Sequence, residues 1–179
     1  MDHGSPRRAL SLDRSRAALV DDLARRLALT RATVLLHEAV MLRHRTSGTY
    51  PGGPTLKELE EQTDAERRHA ASLEQAVLAL DGDASQGSAG SRVEARLASG
   101  IAAVAVDPRT DLAGAIRALL IAELVAQDGL ESSCALARTA GADHLVALLE
   151  EILSGHARHL ATARSWAAAA QVQDLSRAR

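Results

Sequence analysis

The chain has 179 residues, a net charge of -2 and 46% apolar residues, which suits one compact domain and excludes the basic footprint of a nucleic-acid binder. Phe is absent and the aromatics are Tyr50 and Trp166 alone, so the core must be built from Ala, Leu and Val, as closely packed helices allow. The single Cys134 excludes a disulfide framework and any CxxC-bound iron centre.

The start, MDHGSPRRALSLDR, is polar and lacks the apolar core of a secretory signal; residues 1–10 are expected to form a disordered arm. A first helix is expected over about 12–45, capped by Ser11 or Asp13. The run Ser47-Gly48-Thr49-Tyr50-Pro51-Gly52-Gly53-Pro54 ends it, and Thr55 can cap a second helix over 56–80. Residues 81–107 then form a long crossover, Gly/Ser-rich at first and with a shorter helix over 93–106. Asp107-Pro108 is expected to open a third long helix, 108–139, stopped by Gly141; Asp143 can cap a fourth, 144–170, and 171–179 is a polar tail. No stretch approaches the roughly 20 apolar residues that span a bilayer, so a soluble, cytoplasmic protein is expected.

Short links between the first and second and between the third and fourth long helices predict two antiparallel hairpins joined by the crossover. The fold class is therefore all-α: a four-helix bundle with one long crossover between its second and third helices, the ferritin-like arrangement. Three apolar seams are interrupted near mid-helix by ionisable residues. Leu59, Thr63, Glu66, Ala70, Leu73 and Val77 share one face of the second helix. Leu112, Ile116, Leu119, Glu123, Ala126 and Leu130 share one of the third. Leu145, Leu149, Ile152, His156, His159, Ala163 and Trp166 share one of the fourth.

The first helix has two adjoining seams. Leu23, Leu27, Thr30, Val34, His37 and Met41 form one, and Ala28, Leu35, Glu38 and Leu42 form the other, so either His37 or Glu38 can face the axis. Polar groups on a core seam cost free energy unless partnered, and a bound cation partners several at once. Glu38, Glu66, His69, Glu123, His156 and His159 are thus the candidate metal ligands. A competing reading is a non-catalytic bundle with a degenerate site and a structural or assembly role. In that case the acids pair with histidines and with Arg31 or Arg67.

The segment AERRHAASLEQAVLALDGD resembles the second helix of rubrerythrin-like and bacterioferritin-like proteins, where Glu-x-x-His precedes a leucine-rich seam. IAELVAQDGLESSCALARTAG through HLVALLEEILSGHARHLATA resembles their third and fourth helices, and the likeness spans Leu12 to Trp166. This ferritin-like resemblance implies a carboxylate–histidine site for two iron or two manganese ions. Glu38 would be terminal on the first metal, Glu66 bridging, His69 on the first metal, and Glu123 and His159 on the second. Where the family pattern has its second bridging glutamate, this chain has His156. An imidazole normally offers one nitrogen to one metal, so the site could instead hold a single ion. The implied reaction class is ferroxidase, peroxidase or catalase-like oxidoreduction, with dioxygen or peroxide as the small oxidant and a homo-oligomer as the assembly.

Overall fold

A computed structural model describes residues 6–85 and 88–177, with side chains within residues 14–176. Five helices follow in order: α1 (Pro6–Ser47), α2 (Leu56–Ala79), α3 (Ala89–Val106), α4 (Leu112–Thr139) and α5 (Asp143–Arg177). The described residues contain no strand, and none of their helices is long and apolar enough to cross a membrane.

The ends of the helices follow local chemistry. Thr55 and Glu58 form a reciprocal capping box at the start of α2: the Glu58 amide donates to Thr55 Oγ1 at 3.2 Å and the Thr55 amide to Glu58 Oε2 at 2.8 Å. Before it, α1 stops at Ser47, and Gly48 and Gly52 take positive φ in the connecting turn.

Several boundaries differ from expectation; α3, for one, begins at Ala89 rather than 93. Helix α1 already runs at Pro6, within the expected 1–10 arm, of which residues 1–5 lie outside those described. Asp107-Pro108 does not open the third long helix: Asp107 closes α3, and Asp111 caps α4 by accepting from the Gly114 amide at 2.8 Å. Asp111 has the extended backbone of an N-cap directly before an apolar run, whereas Asp107 accepts from the Arg109 amide in its own turn. Helix α5 continues past residue 170 to Arg177, and Asp174 in this last stretch pairs with Arg117 of α4 at 3.0 Å.

In the packing, α1 touches α2, α3 and α4, while α5 touches α4 and α2. Two apolar clusters result. One gathers Leu36, Val40, Met41, Tyr50, Leu59, Ile116, Leu119 and Trp166; the other gathers Leu23, Leu27, Leu73, Val77, Leu130, Leu145, Leu149 and Ile152. Along α1 the order is second cluster then first, along α2 first then second, along α4 first then second, and along α5 second then first. Adjacent helices among these four therefore run antiparallel.

Helix α3 lies over α1 and α4, where Leu29, Ala98 and Ala126 form a small cluster of their own. Polar ties reinforce this side. Arg26 reaches Glu94 of α3 at 3.4 Å, and its guanidinium lies so close to Gly129 of α4 that a Cβ there would collide with it. Ser133 donates to the buried Asp22.

Tyr50 anchors the first interhelix turn onto α5. Its hydroxyl donates to the Trp166 carbonyl at 3.0 Å, and burial pushes the phenol up from 10.0 to about 12, Arg117 partly opposing and Asp111 adding to the rise. The fold thus favours the neutral phenol. As pH rises from 10 the unfolded chain ionises first, so stability falls between 10 and about 12. Because Tyr50 is the single tyrosine, the phenolate absorbance of the folded protein should report it alone. A midpoint about 12 is expected, and an ordinary midpoint near 10 would mean that the turn is not docked.

Candidate metal centre

The two apolar clusters leave a polar layer between them, at the same height on α1, α2, α4 and α5. Glu66 and Glu123 are fully buried there, as are His37 and, at 1% exposure, His156. His69 and His159 complete the layer with side chains 16% and 12% exposed. In each long helix the polar residue follows the apolar stripe, so the periodicity that packs the core also drives these side chains inward.

The geometry is specific. Glu66 Oε1 lies 3.1 Å from His159 Nδ1, 3.4 Å from His156 Nε2 and 3.5 Å from His69 Nδ1. Glu123 Oε2 lies 2.9 Å from His156 Nδ1, and its Oε1 lies 3.4 Å from His37 Nε2. The imidazole of His156 therefore stands between the two carboxylates with one ring nitrogen toward each. The rings of His69, His156 and His159 sit with centroids 5.4 to 6.1 Å apart. Gly155 permits the close approach of α5: a Cβ there would lie 3.0 Å from His69 Cε1.

Burial pushes the Glu66 carboxyl up, but the His159 hydrogen bond, the close His69 imidazole and the charges of His156 and His37 outweigh it, leaving it below the ordinary carboxylate range. For Glu123, burial again acts upward; hydrogen bonds from His156 and His37 prevail over it and over the repulsion of Glu66, so this carboxyl is lowered too. His156 is the mirror case. Burial lowers it, whereas the Glu123 hydrogen bond and the charges of Glu66 and Glu123 raise it above its ordinary value. The site is thus poised to carry carboxylates, the form in which acids ligate cations.

Of the six candidate ligands, five converge: Glu66, His69, Glu123, His156 and His159. Glu38 does not. It is half-exposed on α1 and pairs with Arg67 at 2.8 Å, while the adjacent His37 takes the inward place. The physical reason is the choice of seam. Leu35 and Leu42, which share the Glu38 seam, are 62% and 61% exposed, whereas Leu23, Leu27, Thr30, His37 and Met41 are buried. Neighbouring α3 covers the opposite flank of α1, through Leu29 and Ala32, and rotates the Glu38 flank toward solvent.

Neither arginine considered as a counter-ion reaches the buried acids: Arg67 pairs at the surface with Glu38 and Asp64, and Arg31 with Glu74.

Several buried atoms of this layer have no hydrogen-bond partner among the described residues: Glu66 Oε2, His37 Nδ1, His69 Nδ1 and His156 Nε2. Of these, Glu66 Oε2 and His156 Nε2 belong to residues that a cation placed among them would satisfy. One donor atom from each of Glu66, Glu123, His156 and His159 lies within 4.8 Å of every other, so these four could hold a metal ion. Oxygen and imidazole nitrogen without thiolate fit first-row transition ions, iron among them. Comparison with protein-family models, curated proteins and solved structures finds no match for this chain.

Proposed function

We propose that this chain is a metal-binding, ferritin-like bundle protein whose Glu/His layer holds iron, or manganese in its place, for redox reactions with dioxygen or peroxide. The observation that carries this reading is the convergence of two fully buried carboxylates with four imidazoles, several of whose polar atoms have no other partner. The antiparallel order of α1, α2, α4 and α5 supports the ferritin-like bundle. So does the passage of the α2–α4 connection, with α3, along α1 and α4. Self-association belongs to the same proposal, with exposed Leu35 and Leu42 available to it.

Bound ferrous iron would supply the electrons and the open coordination positions that a small oxidant requires. The chain's own residues do the rest. Glu66 and Glu123 bind the cation and neutralise it. His156 and His159 add nitrogen ligands and fix their orientation against those carboxylates. His37 can hold a proton at Nε2, against Glu123 Oε1. The apolar clusters on both sides exclude bulk water, leaving approach along the partly exposed His69 and His159 edge.

The second reading, a purely structural polar layer, rests on a specific observation: Glu66 and Glu123 already have histidine partners. Elemental analysis of untagged protein after anaerobic reconstitution with ferrous iron separates the two. Bound iron that consumes dioxygen or peroxide is the expected result. Protein that remains iron-free and manganese-free after reconstitution would leave the structural reading in its place.

A further inference from the structure

We infer that the layer is built for one divalent ion, ligated by Glu66, Glu123, His156 and His159, with His37 and His69 as positioning residues. This rests on the metal-binding reading and departs from the paired ions that the family pattern would suggest.

Charge is the first argument. With Glu38 at the surface, two carboxylates face the layer. One divalent ion makes the buried group neutral, whereas two would leave it at +2 between apolar clusters, where an uncompensated charge is expensive. The second is size. Four donor atoms within 4.8 Å of one another lie a few tenths of an ångström from a single coordination sphere, since bonds of about 2.0–2.2 Å place ligands on opposite sides roughly 4 Å apart. The third is bridging capacity. A pair of ions needs carboxylates that span both metals, and the group standing between Glu66 and Glu123 is the imidazole of His156, which offers one nitrogen to one metal.

The remaining two imidazoles each address a carboxylate. His37 Nε2 lies 3.4 Å from Glu123 Oε1, and His69 Nδ1 lies 3.5 Å from Glu66 Oε1. Such outer contacts orient ligating groups and are worth about 10–100-fold in metal affinity. His37 is held by complete burial, and His69 by the bare backbone at Gly155.

The test is anaerobic titration of chelator-treated protein with cobalt(II), read by calorimetry and by the visible bands of the bound ion. One equivalent is expected. His37→Ala and His69→Ala should keep one equivalent with the affinity lowered about 10–100-fold and the bands shifted. His37→Gln, which retains an N–H donor, should recover part of the loss. His159→Ala should abolish binding, and far-ultraviolet dichroism checks that each variant remains helical. If every variant that loses binding is also unfolded, Glu66→Gln, nearly isosteric, serves in place of His159→Ala. Two equivalents of comparable affinity would overturn the single-ion inference and leave the metal-binding reading standing. Absence of cobalt, zinc and iron binding by folded wild type would overturn both. Loss of binding in His37→Ala as complete as in His159→Ala, without rescue by glutamine, would make His37 a ligand and refute its positioning role.

Discussion

Glu123→Ala is expected to abolish metal binding and to lower the stability of the metal-free protein by about 3–5 kcal/mol, the usual cost of breaking a buried ion pair from one side. Glu123 has no exposure, and its two oxygens face His156 Nδ1 at 2.9 Å and His37 Nε2 at 3.4 Å. Alanine leaves both imidazoles without their carboxylate inside an apolar setting. It also removes half of the negative charge available to a cation.

The informative control is Glu38→Ala. Glu38 is a half-exposed partner of Arg67, so its loss should cost less than about 1 kcal/mol and leave metal binding unchanged. Urea denaturation of metal-free protein and titration of the reconstituted one measure both quantities. Equal losses in the two variants would mean that Glu38 shares the site and that the seam described for α1 is wrong.

The second large effect is expected from His156→Glu, which should raise binding from one divalent ion to two. The substitution adds a carboxylate where the imidazole now stands between Glu66 and Glu123. Two divalent ions against three carboxylates leave +1 instead of +2, and a carboxylate can span two metals where a neutral imidazole serves one.

Without metal the same change is harmful. His156 stands between Glu66 and Glu123, and its replacement by glutamate brings three carboxylates together in one buried layer. The metal-free variant should therefore melt below the wild type. It should gain more from added metal, since a ligand at free concentration L that binds the folded state alone stabilises by RT ln(1 + L/Kd) at each site. Ferrous titration with thermal melts at each ratio checks both. A variant that still takes one ion would show that charge and bridging do not limit the stoichiometry.

Much of this was already legible in the amino-acid order. The apolar periodicity of α4 picks out Leu112, Ile116, Leu119, Glu123, Ala126 and Leu130, and all six are buried. The seam of α5 likewise carries His156 inward, and that of α2 carries Glu66 inward. A residue flanked at helical spacing by large apolar side chains has nowhere else to point. The turn at Gly48 to Pro54 and the capping box at Thr55 are equally local, since their hydrogen bonds lie within a few residues.

Three matters were decided in three dimensions. Asp107 and Asp111 are both able to cap, and the packing of Ala105 and Leu112 into the core decides that the first closes α3 and the second opens α4. The partnering of the acids was also open. Arg31 and Arg67 were available by sequence, but their helical positions face solvent, so the buried acids meet the histidines of α1, α2 and α5 instead.

The choice between His37 and Glu38 is the clearest case. On an isolated α1 two adjoining stripes are equally apolar, so helical periodicity cannot rank them. The ranking comes from α3, a segment more than 40 residues away in the chain, which covers the Leu29 flank. That contact turns Leu35, Glu38 and Leu42 outward and leaves His37 facing Glu123. Which stripe is buried depends on which neighbour arrives, and no local pattern in α1 records that.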